Sequence, residues 1–598
     1  MCGFIFTTSK NYKKKQIIKS GKFIFSRGPE SNKYIQTNYF KSYHTRLKIM
    51  DIKNKKANLP IYDLKKNYFL FYNGEIYNFE TLKLELLKKK IKFKTNGDSE
   101  VLFYFLKTFG IQKTLKKING MFAFIFVDLR KKKIFAARDE FGQKPLYYSK
   151  NNNILTLSSS VRSIKNLTNF NDLDKQNIRI FLSSNSGLIP PNKTIFKDIM
   201  ALEAGHYLSF SKNKFKIIKY FNPREYFYKN KYYINNNKSL RIIEKETTNT
   251  ILQSIELHSI SSRKRGIFLS GGLDSSLLYF FLKEKNYKIF KKKTYIKSLT
   301  VLHDKQLSYL PTTVNKIINK QLDKSNSIQF EKRDYFKNLI NIIKFSGLPQ
   351  RWGGGVPMYM CAKEFRKKNI RVIYSGDGAD EMLCGYMDII KSIKNNKNLY
   401  VFPYSLELNK NSIFYNDLDA KIYYRYLNNL RKQSIKKFKF LKNKSDILIK
   451  CLQCEYSEFF LQSCTAIQSD EYSMANSVEV RHPFINKIIF ENLINLPSKA
   501  IANLKDNTNK VIFRNILKRH NYINHDKKKE GTRNYSKFIS QKKYWNFESF
   551  YISKYLDLSK LSNWKEIYKV INLEIFIRVH LSKNFYIMLT PIGKKTLL

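Results

Sequence analysis

Gly266-Ile267-Phe268-Leu269-Ser270-Gly271-Gly272-Leu273-Asp274-Ser275-Ser276 is the stretch that decides how the second half of this chain folds. Its first four residues read as a buried strand, and residues 275–284 read as a helix. Between them lies a turn with two adjacent glycines. Lacking Cβ atoms, Gly271 and Gly272 let backbone N–H groups converge on phosphate oxygens, and the helix amino terminus adds partial positive charge. The hydroxyls of Ser270, Ser275 and Ser276 add donors, and Leu269 closes the strand beneath them. The turn lacks the Gly-Lys-Ser/Thr ending of a Walker A loop, so cleavage of the γ-phosphate in that manner is not expected.

Working outward, a helix is predicted over 240–258, a strand over Lys297–Leu302 with a helix after it, and a strand over Arg371–Tyr374. That last strand runs into a second glycine loop, Ser375-Gly376-Asp377-Gly378-Ala379-Asp380-Glu381. Alternating strands and helices predict an α/β, doubly wound parallel sheet, whose ligands sit beyond the carboxyl ends of its strands. From about residue 385 the chain reads as a mainly helical extension. Residues 1–165 differ. Short strands are predicted at Gly3–Thr7, Tyr68–Tyr72, Met121–Asp128, Lys133–Ala137 and Leu146–Tyr148, with helices near 79–90 and 99–107, a sheet-rich α+β domain. Residues 166–220 continue it irregularly. The expected division is therefore 1–220, a polar linker at 221–240, and 241–598.

The chain has 598 residues, too many for one core. No run is long and apolar enough to span a bilayer, and the start lacks the layout of a secretory signal; a cytoplasmic enzyme is the default expectation. Lys+Arg is 110 against 47 Asp+Glu, a net charge of +63. The lysines are scattered in short runs among Asn, Ile, Phe and Tyr, and only 22 glycines and 13 prolines are present. That pattern follows A/T-rich codons rather than a nucleic-acid surface, so any binding to DNA or RNA is expected to be weak and salt-sensitive. The six cysteines are too sparse for a disulfide framework. Cys451, Cys454 and Cys464 leave a structural metal open, on a segment that reads as helix.

Cys2 becomes the first residue if Met1 is removed. Its own α-amine, with a pKa of about 7.7–8.0, then serves as general base for the thiol. It is followed by Arg27-Gly28-Pro29, His44-Thr45-Arg46-Leu47, Asn73-Gly74-Glu75-Ile76-Tyr77-Asn78, Gly97-Asp98-Ser99-Glu100, and Ala137-Arg138-Asp139-Glu140-Phe141-Gly142-Gln143-Lys144-Pro145. Alone, Asn73-Gly74 is an ordinary hairpin turn.

In order and spacing these segments resemble the glutaminase domain of the N-terminal-nucleophile amidotransferases, above all that of the glutamine-hydrolysing asparagine synthetase family. The Ser270–Ser276 loop resembles the ATP-pyrophosphatase signature found in the same family's second domain. The resemblance implies a glutaminase sandwich followed by a synthetase domain, with ammonia passed between them to an adenylated carboxylate. It implies that Cys2 attacks glutamine, that Asn73 and Gly74 form the oxyanion hole, that Arg46 holds the α-carboxylate, and that Asp98 and Glu75 take the α-ammonium. Arg138-Asp139 reads as an internal ion pair bracing the core. ATP would lie on Leu269–Ser276 with Ser375 and Gly376, and Mg²⁺ on Asp274 and Asp380. Asp377 would accept a proton from the attacking ammonia or act simply as its electrostatic neighbour. Lys529, with its register open among Lys527–Lys529, would neutralise phosphate charge. Asp470, Met474 and Ser477-Val478-Glu479-Val480-Arg481-His482-Pro483-Phe484 continue the pattern as scaffold.

The match weakens at Ser308-Tyr309-Leu310-Pro311. It weakens again at Gly347-Leu348-Pro349-Gln350-Arg351-Trp352-Gly353-Gly354-Gly355-Val356-Pro357, where the family has an acidic acceptor segment. Aspartate is the expected acceptor. Another carboxylate, such as a sugar acid for surface polysaccharide synthesis, is the alternative; a non-catalytic basic nucleic-acid-binding protein on this fold is the rival from another class. A homodimer is left open.

Overall fold

The computed structural model describes residues 2–211, 214–290, 297–303, 327–330, 332–351, 355–395, 398–520, 537, 539–554 and 557–581. The amino-terminal half is built on two six-stranded antiparallel sheets. The first contains β1 (Cys2–Thr7), β2 (Ser31–Gln36), β3 (Lys41–Arg46), β8 (Tyr147–Asn151), β9 (Ile154–Ser158) and β10 (Met200–Ala201), in the order β10-β8-β9-β1-β3-β2. The second contains β4 (Ile61–Tyr62), β5 (Tyr68–Ile76), β6 (Gly120–Asp128), β7 (Lys133–Arg138), β11 (His206–Ser211) and β12 (Lys214–Lys219), in the order β12-β11-β7-β6-β5-β4.

The period-2 alternation of β6 explains the layering. Ala123, Ile125 and Val127 face the first sheet beside Phe4, Phe6 and Phe71. Phe122, Phe124 and Phe126 point the other way, onto Leu82, Leu86, Leu102 and Phe105 of the helices Phe79–Leu87 and Asp98–Lys117. A strand buried on both faces needs apolar residues at every position, hence the run Met121–Val127. Each such phenylalanine contributes about 1.5–3 kcal/mol by burial. Helices Lys14–Gly21 and Val161–Thr168, with the 3-10 turn Lys22–Arg27, cover the outer face of the first sheet through Ile17, Leu167 and Ile24 respectively, completing a helix–sheet–sheet–helix sandwich.

The second half holds a five-stranded parallel sheet of β13 (Arg265–Phe268), β14 (Lys297–His303), β15 (Ser327–Phe330), β16 (Val372–Tyr374) and β17 (Glu479–Arg481). Its order, β15-β14-β13-β16-β17, places the first strand in the middle. The chain winds one way through β14 and β15 and the other way through β16 and β17. The topological switch point therefore lies between β13 and β16, where such sheets open a crevice. Both glycine loops leave the carboxyl ends of those two strands.

Three expectations change. Asn73-Gly74 is no turn: both residues lie inside β5, opposite Ala123 and Phe122. The polar segment 221–240 is not a free linker; it forms a 3-10 turn at Pro223–Tyr226 and a helix at Lys229–Asn237. Phe227 and Tyr232 are buried and anchor it, Phe227 against Phe438 at 5.1 Å between ring centroids, which outweighs its polar composition. The carboxyl-terminal region contributes β17 to the parallel sheet, a strand of three residues too short to show a pattern. The helix expected after β14, Ser308–Pro311, Trp352–Gly354 and Lys527–Lys529 lie outside the described residues. No helix among the described residues is long and apolar enough to cross a membrane.

Candidate functional site

β1 and β3 pair so that Cys2 stands opposite Arg46, and β5 brings Asn73 to the same place. The Cys2 N–H donates to Asn73 Oδ1 at 3.0 Å. This fixes the amide, and leaves Asn73 Nδ2 buried without a hydrogen-bond partner. A buried orphan donor costs free energy unless a ligand satisfies it, and a developing oxyanion beside Cys2 is such a ligand. Gly74 is required by its neighbour, since a Cβ there would lie 2.1 Å from the Met121 carbonyl oxygen.

Cys2 is 4% exposed. Burial pushes its thiol above the ordinary value, against the pull of the amino-terminal charge and Arg46, so it needs a base to become a nucleophile. Arg46 donates to Asn58 Oδ1 and the Met50 carbonyl, both at 2.9 Å. Asp98 opens its helix and accepts from Tyr72 Oη at 2.6 Å and from the Ile76 N–H at 2.8 Å. Burial raises its pKa, and those two bonds oppose the shift. Glu75, expected beside the ammonium, lies 3.6 Å from Arg481 of β17, and burial and the nearby Asp98 charge raise its pKa. Arg138 and Asp139 brace their turn through the backbone: Arg138 donates to the carbonyls of Lys144, Leu202 and Gly142, and Asp139 accepts the N–H groups of Gln143 and Lys144.

In the second half, Ser270 Oγ and Ser275 Oγ meet at 3.0 Å, and the Gly272 N–H donates to Ser270 Oγ. Gly271 has φ +74, a conformation costly for other residues. Ser276 Oγ is buried without a hydrogen-bond partner. The loop after β16 packs directly on it: a Cβ at Gly376 would meet the Ser275 backbone nitrogen at 3.0 Å. Ser375, whose N–H donates to the Arg481 carbonyl, starts that second loop. Asp274 and Asp380 converge on one lysine: Lys510 Nζ lies 2.6 Å from a carboxylate oxygen of each. Gly385 makes room, because a Cβ there would come within 2.1 Å of both Asp380 Oδ1 and Lys510 Cε.

Lys510 is absent from the sequence expectations. In a chain with 110 basic residues nothing in its neighbourhood, Thr508-Asn509-Lys510-Val511, marks it out. Glu381, beside Asp380, is pushed up to about 7 by burial, against hydrogen bonds from Thr465 and Tyr386. Asp377 accepts from Ser469 Oγ at 2.5 Å and lies 3.5 Å from His482 Nε2. Burial would raise its pKa, but His482 and the hydroxyls of Ser469 and Ser375 hold it below the ordinary value. Cys451, Cys454 and Cys464 are buried, and burial raises all three thiols. No cluster of three or more His, Cys, Asp or Glu able to hold a metal occurs among the described residues.

The two halves share a buried ionic junction. Asp470 lies 2.7 Å from Arg27 Nη2 and 2.9 Å from Lys144 Nζ, all essentially unexposed. Arg27 Nε donates to the Cys2 carbonyl at 3.2 Å, so the junction reaches the Cys2 backbone.

A family described as glutamine amidotransferase domain matches residues 1–221, and one described as asparagine synthase matches residues 246–538. Asparagine synthetase [glutamine-hydrolyzing] 1 of Bacillus subtilis is 25% identical over 560 residues, 86% of this chain and 84% of that protein. Putative asparagine synthetase [glutamine-hydrolyzing] 2 of Methanocaldococcus jannaschii is 29% identical over 414 residues, 65% of this chain and 76% of that one. Among solved structures, the glutamine phosphoribosylpyrophosphate amidotransferase of B. subtilis is similar at a TM-score of 0.28 with 14% identity, covering 45% of this chain and 60% of that one.

Proposed function

The chain belongs to the glutamine-hydrolysing asparagine synthetase family and is a glutamine-dependent ligase that uses ATP, and we propose that it amidates aspartate to asparagine with AMP and pyrophosphate as by-products. The observation that carries the reading is the Cys2–Asn73 pair: Oδ1 is tied to Cys2 and Nδ2 is left as an unmatched donor beside it.

Cys2 Sγ attacks the side-chain carbonyl of glutamine and gives its proton to the α-amine of the processed amino terminus. Asn73 Nδ2 and the Gly74 N–H take the charge on the carbonyl oxygen. Ammonia leaves, and water releases glutamate from the thioester. Arg46 and Asp98 hold the two ends of the glutamine backbone. In the synthetase half, the acceptor carboxylate displaces pyrophosphate from the α-phosphate of ATP. Ammonia then attacks the acyl-adenylate and AMP leaves. Leu269–Ser276, Ser375 and Gly376 cradle the phosphates, and Lys510 neutralises their charge; Lys529 is proposed for the same role. Asp377, kept ionised, accepts a proton from the attacking nitrogen.

Asp274 and Asp380 already share one cation, the Lys510 ammonium, and their carboxylate oxygens are the hard donors that Mg²⁺ takes. Bound there, Mg²⁺ would supply counter-charge to the departing pyrophosphate.

Aspartate is supported over a sugar acid by Arg351, whose buried Nη1 has no hydrogen-bond partner. It lines a small recess with Leu348, Gln350, Gln468 and Glu471. A guanidinium there suits an acceptor with a second carboxylate, which aspartate has and a simple uronic acid lacks. Pyrophosphate release from ATP should be triggered by aspartate and not by uronic acids; release with a uronic acid alone would replace this acceptor with the other.

A further inference from the structure

His482 follows β17 in a segment to which the two reactions assign no task, yet it is completely buried between the two halves. Its Nδ1 lies 3.2 Å from Gln143 Oε1 in the glutaminase half. Its Nε2 lies 3.5 Å from Asp377 Oδ2 in the synthetase half. The amide of Gln143 is oriented independently, because its Nε2 donates to the Ile485 carbonyl at 3.3 Å. That leaves Oε1 as the group facing the ring, so Nδ1 must be the donor. Nε2 is then the ring atom turned to the Asp377 carboxylate, whose pKa His482 lowers. The other histidine close by, His258, is held neutral by burial, with a pKa of about 3. Arg481, the neighbour in sequence, is engaged by Glu479 and Glu75. Asp377 is therefore the carboxylate that His482 faces. The turn itself is closed by the Ile485 N–H donating to the His482 carbonyl at 2.8 Å, which fixes the backbone that carries the ring.

We infer that His482 is a positioning residue for Asp377, and that Gln143 makes this positioning depend on the docked glutaminase half. The inference rests on the role given to Asp377 above. Both contacts to the carboxylate that come from outside its own loop, Ser469 Oγ and His482 Nε2, fall on Oδ2. Losing either frees the carboxylate to rotate. Because His482 takes its own orientation from Gln143, a shift of the glutaminase half at this point reaches the synthetase carboxylate through two contacts. This link is separate from the Arg27–Asp470–Lys144 junction, which reaches Cys2.

The test uses the full-length enzyme with ammonium as nitrogen donor, which bypasses Cys2. Pyrophosphate release and amide formation are measured for the wild type, Asp377→Asn, His482→Leu, His482→Gln, Gln143→Leu and the His482→Leu/Gln143→Leu pair. Asp377→Asn should lower kcat about a hundredfold. His482→Leu should show its defect in the same half-reaction, roughly tenfold in kcat (about 1.4 kcal/mol), with the KM for ATP unchanged. His482→Gln, which offers a neutral donor, should recover part of the loss; a purely packing role would not be rescued this way. Gln143→Leu should lower kcat by itself but add nothing to His482→Leu. If Asp377→Asn is crippled while His482→Leu stays within about twofold of wild type, or if the two relay substitutions add, the inference is overturned and the role of Asp377 stands. If Asp377→Asn is itself as active as wild type, the role of Asp377 falls first, and the relay with it.

Discussion

Asp470→Asn is the substitution with the largest expected consequence outside either reaction centre. The wild-type carboxylate is fully buried and balances two buried cations, Arg27 at 2.7 Å and Lys144 at 2.9 Å. Asparagine keeps the shape but removes the charge, leaving two cations without a counter-ion. Removing one member of a buried ionic group costs about 3–5 kcal/mol, whereas replacing the whole group with apolar residues costs far less. The triple variant Arg27→Met/Lys144→Met/Asp470→Leu should thus be more stable than Asp470→Asn alone. All three tryptophans, Trp352, Trp545 and Trp564, lie in the synthetase half. Urea unfolding followed by tryptophan fluorescence therefore reports that half, and loss of glutamate release reports the other. Both transitions should move to lower urea, because the junction belongs to both halves. Glutamine hydrolysis should also fall in the folded variant, since Arg27 Nε holds the Cys2 carbonyl. The pH dependence has a definite sign. Burial raises the Asp470 pKa, but Arg27 and Lys144 outweigh it and hold it below the ordinary carboxylate value. Its contribution to stability is present above the unfolded value of about 3.9 and is lost as pH falls through the folded value. An Asp470→Asn protein within about 0.5 kcal/mol of wild type, with unchanged acid stability, would refute the junction as an energetic element.

Asp274→Asn and Asp380→Asn should each remove most pyrophosphate formation and spare glutamine hydrolysis, measured as pyrophosphate and glutamate from the same preparation; near-native pyrophosphate release in both would move the phosphate site elsewhere. Gly74→Ala should destabilise the β5–β6 pair by about 1–3 kcal/mol and abolish glutamate release, since its Cβ would meet the Met121 carbonyl oxygen at 2.1 Å; thermal unfolding and glutaminase assays check both, and an active, stable variant would show that the strands can part.

What the sequence made legible was the chemistry carried by glycine and acid at strand ends. Ser270–Ser276 and Ser375–Glu381 announce glycine turns that leave strand ends, and the parallel sheet puts both at one switch point. The alternation in Met121–Val127 was visible as apolar content but not as a strand buried on two faces, because both faces are apolar and no polar residue marks the period. Asn73-Gly74 resembles a turn because local propensity favours one, whereas pairing with Ala123 and Phe122 holds it extended. Lys510 was hidden by its own abundance: one lysine among so many basic residues carries no contrast. Phe227 and Tyr232 were masked by the asparagines and lysines around them. Contacts such as Arg27–Asp470, Gln143–His482 and Glu75–Arg481 join residues hundreds of positions apart, and no local pattern encodes them.

Two reactions meet in one chain under the proposed function, and Cys2 serves only the first. Cys2→Ala should be assayed for amide and pyrophosphate with glutamine and, separately, with ammonium as the nitrogen source. The variant should give no synthesis and no glutamate from glutamine, together with synthesis from ammonium at close to the wild-type rate. Glutamate release from glutamine at the wild-type rate by the alanine variant would contradict the proposed role of Cys2.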